Sequence, residues 1–269
     1  MEDKFFNVKE TTINVSSAKR AYKFIQISDT HICAFDELST PEEKEEAISH
    51  ETRWDPVKAD FAHHFGDPFG PEQEITTVEA FKKLIDYAKS ENPDALIISG
   101  DVLDYMHGAG GRFLKSELSR FGGKVICVGG NHEGEVLEGV WNNFSEHSFG
   151  DFKIVALDDR KKTITDDTLA KLKASLSGGV DAIVVMHIPF ATDLNREDMK
   201  KFSEYFVIDE QSCDDNAKEL VSLLKNSKNV KAVLCGHVHG WHESVFAENK
   251  TQYCCSASMI GNVRKIVVE

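Results

Sequence analysis

The sequence has no long hydrophobic run, and none of its apolar stretches approaches the roughly 20 residues that a membrane-spanning helix needs. Its N-terminus, MEDKFFNVKETTINV, has no basic start, no apolar core and no small-residue cleavage site, so we expect no signal peptide. These absences predict a cytoplasmic protein with no membrane partner.

Cysteine is scarce, and its spacing forms no recognisable motif. The six cysteines include no CxxC pair, and Cys127, Cys235 and Cys254 lie in apolar runs that are typical of strands. A reduced thiol in such a run behaves as a small hydrophobic group. The pattern therefore favours neither a disulfide framework nor a zinc–thiolate site.

Basic residues are also in short supply. The 31 lysines and arginines are outnumbered by 45 acidic residues, which gives a formal net charge of −14. Nucleic acids and anionic membranes are bound through clustered basic residues, so this balance disfavours both as partners. Divalent cations would offset the charge locally, and a small anionic substrate therefore stays compatible with the composition.

What the sequence does contain is an alternation of short apolar runs with amphipathic segments. A capping box at Thr76 and Glu79 predicts the start of one helix, and leucine and alanine stripes after Asp166 and Asp214 predict two more. The C-terminal segment 241–269 has the pattern of consecutive strands. Runs rich in β-branched residues predict six further strands, at 21–28, 94–99, 124–129, 152–157, 181–186 and 230–235. The alternation indicates an α/β fold with mixed sheets.

One segment, 33–74, departs from this pattern and is interpreted as an insertion in a single domain that spans 1–269. Seven acids and one lysine lie between Asp36 and Glu51, and Thr40–Glu43 has the pattern of a helix start, which predicts a short acidic helix. A solvated insertion is the favoured interpretation, and a cap that shapes substrate choice is the alternative. Aromatic and histidine residues follow at Trp54, Phe61, His63, His64, Phe65 and Phe69.

Polar side chains follow five of the six predicted strands. In an open α/β sheet, ligands gather beyond the carboxyl ends of the strands. We therefore expect these side chains to meet at one end of one sheet and to form a site. They are Asp29, His31, Asp101, Asp104, Asn131, His132, His187, His237 and His239.

The residue types in this set indicate metal binding. In extended backbone, side chains two apart point to the same face, so Asp29 with His31, and His237 with His239, can address one point, whereas His242 would face elsewhere. Carboxylate, imidazole and amide donors suit Zn, Fe or Mn better than Ca. Seven such ligands are too many for one tetrahedral zinc and suit two ions about 3.5–4 Å apart that share a carboxylate.

Five motifs in fixed order resemble those of the calcineurin-like metallophosphoesterase superfamily. They are DTH at 29–31, GDVLD at 100–104, GNHE at 130–133, the lone His187 and GHVH at 236–239. Any one of them is weak, but the ordered set is highly specific. The resemblance implies a four-layer α/β/β/α sandwich, with two mixed sheets flanked by helices and the metals between loops at its top.

The resemblance also implies a role for each ligand. It assigns Asp29, His31 and His239 to one metal ion. It assigns Asn131, His187 and His237 to the second, with Asp101 as the bridge between the two.

Three further residues receive roles by the same resemblance. His132 would touch the phosphate and assist the leaving group, and Asp104 would orient loops or ligands around the site. Glu133 stands where many relatives have aspartate, and the implied role of that position is to orient His132.

The implied reaction is metal-dependent hydrolysis of a phosphoester by a hydroxide that bridges two metal ions, which are Mn, Fe or Zn. A small-molecule phosphodiester is the favoured substrate. A phosphomonoesterase or protein phosphatase is the alternative, and a DNA-end nuclease or a non-catalytic scaffold is a lesser one. Segment 190–212 is expected to form a second loop facing the substrate, although its Arg196, Lys200 and Lys201 better fit a solvated helix.

Overall fold

A computed structural model describes residues 5–65 and 75–269, with Val57 and residues 59–65 described by their backbone alone. The helices in these ranges are α1 (Pro41–Phe65), α2 (Thr77–Glu91), α3 (Gly108–Phe121), α4 (Asp166–Ser177), α5 (Arg196–Met199) and α6 (Asp215–Asn226). The strands in the same ranges are β1 (Asn7–Ile13), β2 (Tyr22–Ile27), β3 (Ala95–Ser99), β4 (Val125–Val128), β5 (Phe144–Phe149), β6 (Phe152–Leu157), β7 (Asp181–Val185), β8 (Phe190–Ala191), β9 (Ile208–Asp209), β10 (Val230–Cys235), β11 (His242–Ala247), β12 (Lys250–Cys254) and β13 (Asn262–Val268).

Two large mixed sheets form the centre of the fold. The first has the strand order β1-β13-β2-β3-β4, and the second has the order β11-β12-β10-β7-β6-β5. The six strands predicted from apolar runs are β2, β3, β4, β6, β7 and β10, and they pair in parallel within their sheets. Their near-continuous hydrophobic character follows from burial on both faces.

The sheets face each other, and helices cover their outer faces. Phe24 and Ile97 of the first sheet pack against Ile154 and Val185 of the second in one apolar cluster. Helices α2 and α3 pack on the outer face of the first sheet, and α4 and α6 pack on that of the second. The predicted four-layer α/β/β/α sandwich is therefore confirmed.

Strand assignment across the sheets differs from the prediction in one respect that matters for function. The strand ends that carry the motif residues belong to both sheets and not to one, because β2, β3 and β4 lie in the first sheet while β7 and β10 lie in the second. Strands β1 and β5 and helix α3 were not predicted. The two strand sequences are mostly polar, and helix α3 begins with a glycine-rich turn although the helix itself is amphipathic.

Helix α1 lies in the predicted insertion and is much longer than expected. Its start is confirmed as a capping box, since the Glu43 amide donates to Thr40 Oγ1 over 3.2 Å and the Thr40 amide donates to the Glu43 carboxylate over 2.7 Å. The prediction of a short helix is wrong, because the helix continues for 25 residues with Pro56 inside it. The side chains of Phe61, His63, His64 and Phe65, and the whole of Phe69, lie outside the described residues. The single-domain assignment stays a prediction.

Among the described residues, no helix combines the length and the hydrophobicity that crossing a bilayer requires.

Candidate metal centre

The motif side chains converge where the two sheets end side by side, but not through extended backbone. The φ angles of Asp29, His31, Asp101, His237 and His239 are 53°, 43°, 48°, 69° and 55°. The expectation that each DxH or HxH pair stays extended is therefore wrong. These residues lie in the left-handed region, which aspartate and histidine tolerate better than most side chains. The turns bend each loop over the sheet edge and direct its side chains toward one point.

One group of converging ligands lies at the ends of β2, β3 and β10. Ligand atoms of Asp29, His31, Asp101 and His239 all lie within 4.8 Å of one another. His31 Nε2 is 3.1 Å from His239 Nε2, and His239 Nε2 is 3.3 Å from Asp29 Oδ1. Two imidazoles and two carboxylates thus surround a space of the size that one metal ion needs.

A second group shares Asp101 with the first. Ligand atoms of Asp101, His187 and His237 lie within 4.8 Å of one another. His187 Nε2 is 3.1 Å from Asp101 Oδ2 and 3.1 Å from Asn131 Oδ1. Buried His237 Nε2 has no hydrogen-bond partner in the described part of the chain. A buried, unpartnered ring nitrogen is costly unless something binds it, and a metal ion fits that need.

Glycines allow the loops to come this close. A Cβ on Gly130 would collide with the backbone nitrogen and the carboxylate of Asp101, and a Cβ on Gly236 would collide with Ser28 and with Asp29. The glycines in GNHE and GHVH are thus required sterically, because any side chain there would displace a predicted ligand.

Backbone donors and acceptors hold the ligands in place. The His237 amide donates to both oxygens of Asp29, at 3.1 and 3.0 Å, which ties the second sheet to the first. His187 Nδ1 lies 2.8 Å from the Ser99 carbonyl oxygen, an acceptor only. In the neutral ring the proton therefore sits on Nδ1, and the Nε2 lone pair faces Asp101 and Asn131.

The charged groups of the centre shift the pKa values of their neighbours. Burial alone would raise the pKa of Asp101, but the neighbouring His187 imidazolium lowers it below the usual range. The same pairing raises the pKa of His187 to about 10 against the opposing effect of burial. For His237, burial and the charge of His187 lower the pKa to about 3. This ring is therefore neutral near pH 7, whereas His187 would have to release a proton in order to bind a metal ion.

His132 lies beside the two ligand groups and is partly open to solvent. Its amide donates to Asp101 Oδ1 over 3.0 Å, and its Nδ1 lies 2.9 Å from the Asp104 carbonyl oxygen and 3.2 Å from Asp104 Oδ1. Burial alone would lower the pKa of His132, but the Asp104 and Asp101 carboxylates raise it to about 9. The ring therefore carries a proton near neutral pH that it can give to a leaving group.

Asp104 is the junction between this centre and helix α1. Its Oδ1 accepts from Trp54 Nε1 over 3.0 Å and lies 3.3 Å from His31 Nδ1, while its Oδ2 contacts His50 and lies 3.3 Å from Arg53 Nη2. The carboxylate is almost fully buried. Burial alone would raise the pKa of Asp104, but its hydrogen bonds to His132, His31 and His50 hold that pKa below its usual range.

Helix α1 also supplies an aromatic wall. The Trp54 ring lies 4.2 Å from the His31 ring and 5.8 Å from the His239 ring, measured between centroids. The insertion is thus in contact with the centre, as the alternative interpretation of a cap expected. Sequence reasoning did not single out His50, Arg53 or Trp54 as site residues, since nothing in an irregular acidic segment shows which turn of a helix faces inward.

Two buried carboxylates behind the centre accept hydrogen bonds from the backbone amides of its loops. Asp159 accepts from the amides of His187 and Ile188 over 2.8 Å each, and burial raises the pKa of Asp159 to about 7. Asp159 was missed, although it follows the fourth predicted strand, the only one to which no site residue was assigned. Glu133 accepts from the amides of Leu103 and Gly130 over 2.8 and 2.5 Å. It is therefore Asp104 that contacts the His132 ring, and Glu133 fixes the loops around it.

Segment 190–212 forms a loop beside the second ligand group. Its cations are engaged within the loop itself, since Arg196 pairs with Asp193 at 2.6 Å and with Asp209 at 3.3 Å, and Lys200 pairs with Glu197 at 2.5 Å. Lys200 agrees with the favoured interpretation as a solvated residue, whereas the Arg196 side chain is only 18% exposed.

Comparisons with known proteins agree with this geometry. Residues 22–241 match the family model of the calcineurin-like phosphoesterases, so the chain belongs to that family and is a metal-dependent hydrolase of phosphoric esters. A search of curated proteins found no match.

Two solved structures illustrate the shared fold. A dimetal phosphatase from Danio rerio is 12% identical, with 91% of each chain covered and a TM-score of 0.55. A purple acid phosphatase from seeds of yellow lupin (Lupinus luteus) is 11% identical with a TM-score of 0.51, and the match covers 91% of this chain but 45% of the lupin chain. At such identities the likeness extends to the fold alone.

Proposed function

We propose that this chain hydrolyses a small-molecule phosphodiester at the centre formed by the two ligand groups. One observation carries the proposal: buried Asp101 belongs to both groups, with histidines converging on it from both sheets. A carboxylate shared between two sets of N and O donors is the arrangement that a pair of metal ions requires.

The distances support the ligand assignment that the family resemblance implies. Asp29, His31 and His239 would hold one ion, and Asn131, His187 and His237 would hold the other, with Asp101 between them. The unpartnered Nε2 of buried His237 and the neutral state of that ring support this assignment. The mixed imidazole, carboxylate and amide set suits Mn, Fe or Zn.

When bound, two such ions activate a water molecule as the nucleophile and neutralise charge on the phosphoryl oxygens. The chain's own contribution to leaving-group departure is His132. Its proton, stabilised by Asp104, is available for the leaving alkoxide, which is the role of a general acid. Asp104 acts through His132 and through α1, and it is therefore a positioning residue.

Charge favours a diester over a monoester. A phosphodiester carries one negative charge and a monoester close to two, and the chain has a net charge of −14. Arg53 of helix α1 is already paired with Asp104, with Nη2 3.3 Å from that carboxylate. Away from the bound cations, a dianion would therefore meet more repulsion from the chain than a monoanion.

The test compares bis-p-nitrophenyl phosphate with p-nitrophenyl phosphate, using protein loaded separately with Mn, Fe or Zn. We expect faster turnover of the diester. Asp101→Asn should lose both turnover and metal content, whereas Asp151→Asn, whose carboxylate pairs with Lys19 at the surface, should keep both. Faster turnover of the monoester would favour the phosphomonoesterase or protein phosphatase alternative. A metal-loaded protein that hydrolyses neither ester would refute the proposal.

A further inference from the structure

The loop after His187 is anchored so that its tip returns to the metal centre. Strand β8 starts three residues after His187 and pairs in parallel with β9, and the Ile208 amide donates to the Pro189 carbonyl over 2.9 Å. Between these strands, Met199 and Val207 are buried against Ala191. The pairing of β8 with β9 thus joins the two ends of the loop 192–207, and the buried Met199 and Val207 fix the position of its tip.

The tip presents two aromatic rings to solvent beside the centre. Tyr205 and Phe206, in a short 3₁₀ turn at Glu204–Phe206, expose 65% and 36% of their surfaces. The two rings meet edge to face, with centroids 5.1 Å apart. The Phe206 centroid is 5.2 Å from that of the His237 ring, and the Tyr205 centroid is 6.1 Å from it.

The contacts that anchor the loop do not explain why the Tyr205 and Phe206 rings are exposed. The aromatic residue that packs under the loop is Phe202, which contacts the buried cluster and lies 5.3 Å from the His242 ring. Within the described residues, neither Tyr205 nor Phe206 belongs to an apolar core cluster. Two neighbouring large rings left exposed at the edge of a site indicate a binding surface rather than a structural one.

We infer that Tyr205 and Phe206 bind a planar aromatic substituent of the substrate, so that the preferred phosphoester carries an aryl or heteroaryl group. This inference rests on the proposed function, because it places the phosphorus at the ligands that include His237. A substituent on that phosphorus lies within reach of both rings. Offset or edge-to-face contact with two rings favours a flat π system over a saturated group of equal size.

The experiment measures binding and needs no turnover. Benzylphosphonate and cyclohexylmethylphosphonate have the same charge and nearly the same size, and they differ in whether the ring is aromatic. Their affinities are measured by titration calorimetry on the metal-loaded protein, for the wild type, for the double variant Tyr205→Leu/Phe206→Leu and for Leu194→Ala. Leu194 is a matched control, because it lies on the same loop and is 66% exposed.

We expect the wild type and Leu194→Ala to bind benzylphosphonate about three- to tenfold more tightly than its saturated analogue. In the double variant the two affinities should become equal, with metal content unchanged. Equal affinities in the wild type, or a preference that persists in the double variant, would overturn the inference. If bis-p-nitrophenyl phosphate is still hydrolysed in that case, the proposed function stands. If the metal-loaded protein neither binds the phosphonates nor hydrolyses the ester, both this inference and the proposed function are refuted.

Discussion

Asp104 offers the most direct test of how this centre sets the protonation state of His132. The carboxylate lies 3.2 Å from His132 Nδ1 and contacts three side chains of helix α1. Burial would lower the pKa of His132, yet the nearby carboxylates raise it from 6.5 to about 9. At 1.36 kcal/mol for each pH unit, that displacement sets an upper limit of about 3 kcal/mol in favour of the protonated ring, which solvent screening of the partly exposed ring reduces.

The substitution Asp104→Asn removes the charge and keeps the size of the side chain. One acceptor and one charge still favour the protonated ring, since the Asp104 carbonyl oxygen lies 2.9 Å from Nδ1 and the Asp101 carboxylate keeps its charge. An opposite charge within about 4–6 Å shifts a pKa by about 1–3 units. We therefore expect the pKa of His132 to fall from about 9 to between about 6 and 8.

The measurement is an NMR titration of the histidine rings in chelator-treated protein, where no metal competes for the site. The chain has 11 histidines, and His132→Gln identifies the resonance by its disappearance. Asp36→Asn serves as the control, because that exposed carboxylate bonds to Arg112 and not to the centre. A pKa of His132 that stays at about 9 in Asp104→Asn would refute the reasoning, and a fall in the control as well would show that the effect is not specific.

Three further outcomes are expected. Gly130→Ala should abolish metal binding and cost about 1–3 kcal/mol of stability, because its Cβ collides with Asp101, as metal analysis and urea unfolding will show. Adding metal at 100 times its Kd should raise the free energy of unfolding by about 2.7 kcal/mol, an increase that Asp101→Asn should lack. Burial and the charge of Lys201 lower the pKa of His242 to about 4 from 6.5. As pH falls, the unfolded chain therefore takes up this proton before the folded chain does. Up to about 3 kcal/mol of the free energy of unfolding present above pH 6.5 should thus be lost by pH 4. His242→Leu should flatten that part of the plot of unfolding free energy against pH.

The apolar runs were sufficient to predict an α/β fold with mixed sheets and to indicate which side chains come together, whereas the four layers were predicted from the family resemblance. Parallel strands such as β3 and β10 are buried on both faces, so their apolar runs are visible without a structure. Polar residues directly after such runs are conspicuous for the same reason. This is why Asp101, His187 and His239 could be placed together although they are far apart in the chain.

What could not be predicted depends on orientation. His50, Arg53 and Trp54 face the centre because helix α1 runs 25 residues from a confirmed start, and a mixed acidic and aromatic segment does not reveal its inward face. Asp159 acts on backbone amides of the His187 loop, and a contact of that kind leaves no spacing pattern in the sequence. The division of the motif strands between two sheets was hidden as well, because all of these strands have similar apolar character.

The left-handed backbone at Asp29, His31, Asp101, His237 and His239 connects the fold to the chemistry. Each such residue stores on the order of 1 kcal/mol or more, and it persists only where its surroundings fix it. Here the fixing contacts run between the motif loops. The Asp29 amide donates to the Gly100 carbonyl over 3.0 Å, the His31 amide donates to the Asp101 carbonyl over 3.1 Å, and the Asp29 carboxylate accepts from the His237 amide. Because one carboxylate bonds to the loop of the opposite sheet and also faces the ligand space, loss of Asp29 should loosen the contact between the sheets as well as the metal site. The ligands are thus part of what holds the two sheet edges together, and the strain in their backbone is supported by the same hydrogen bonds that aim their side chains.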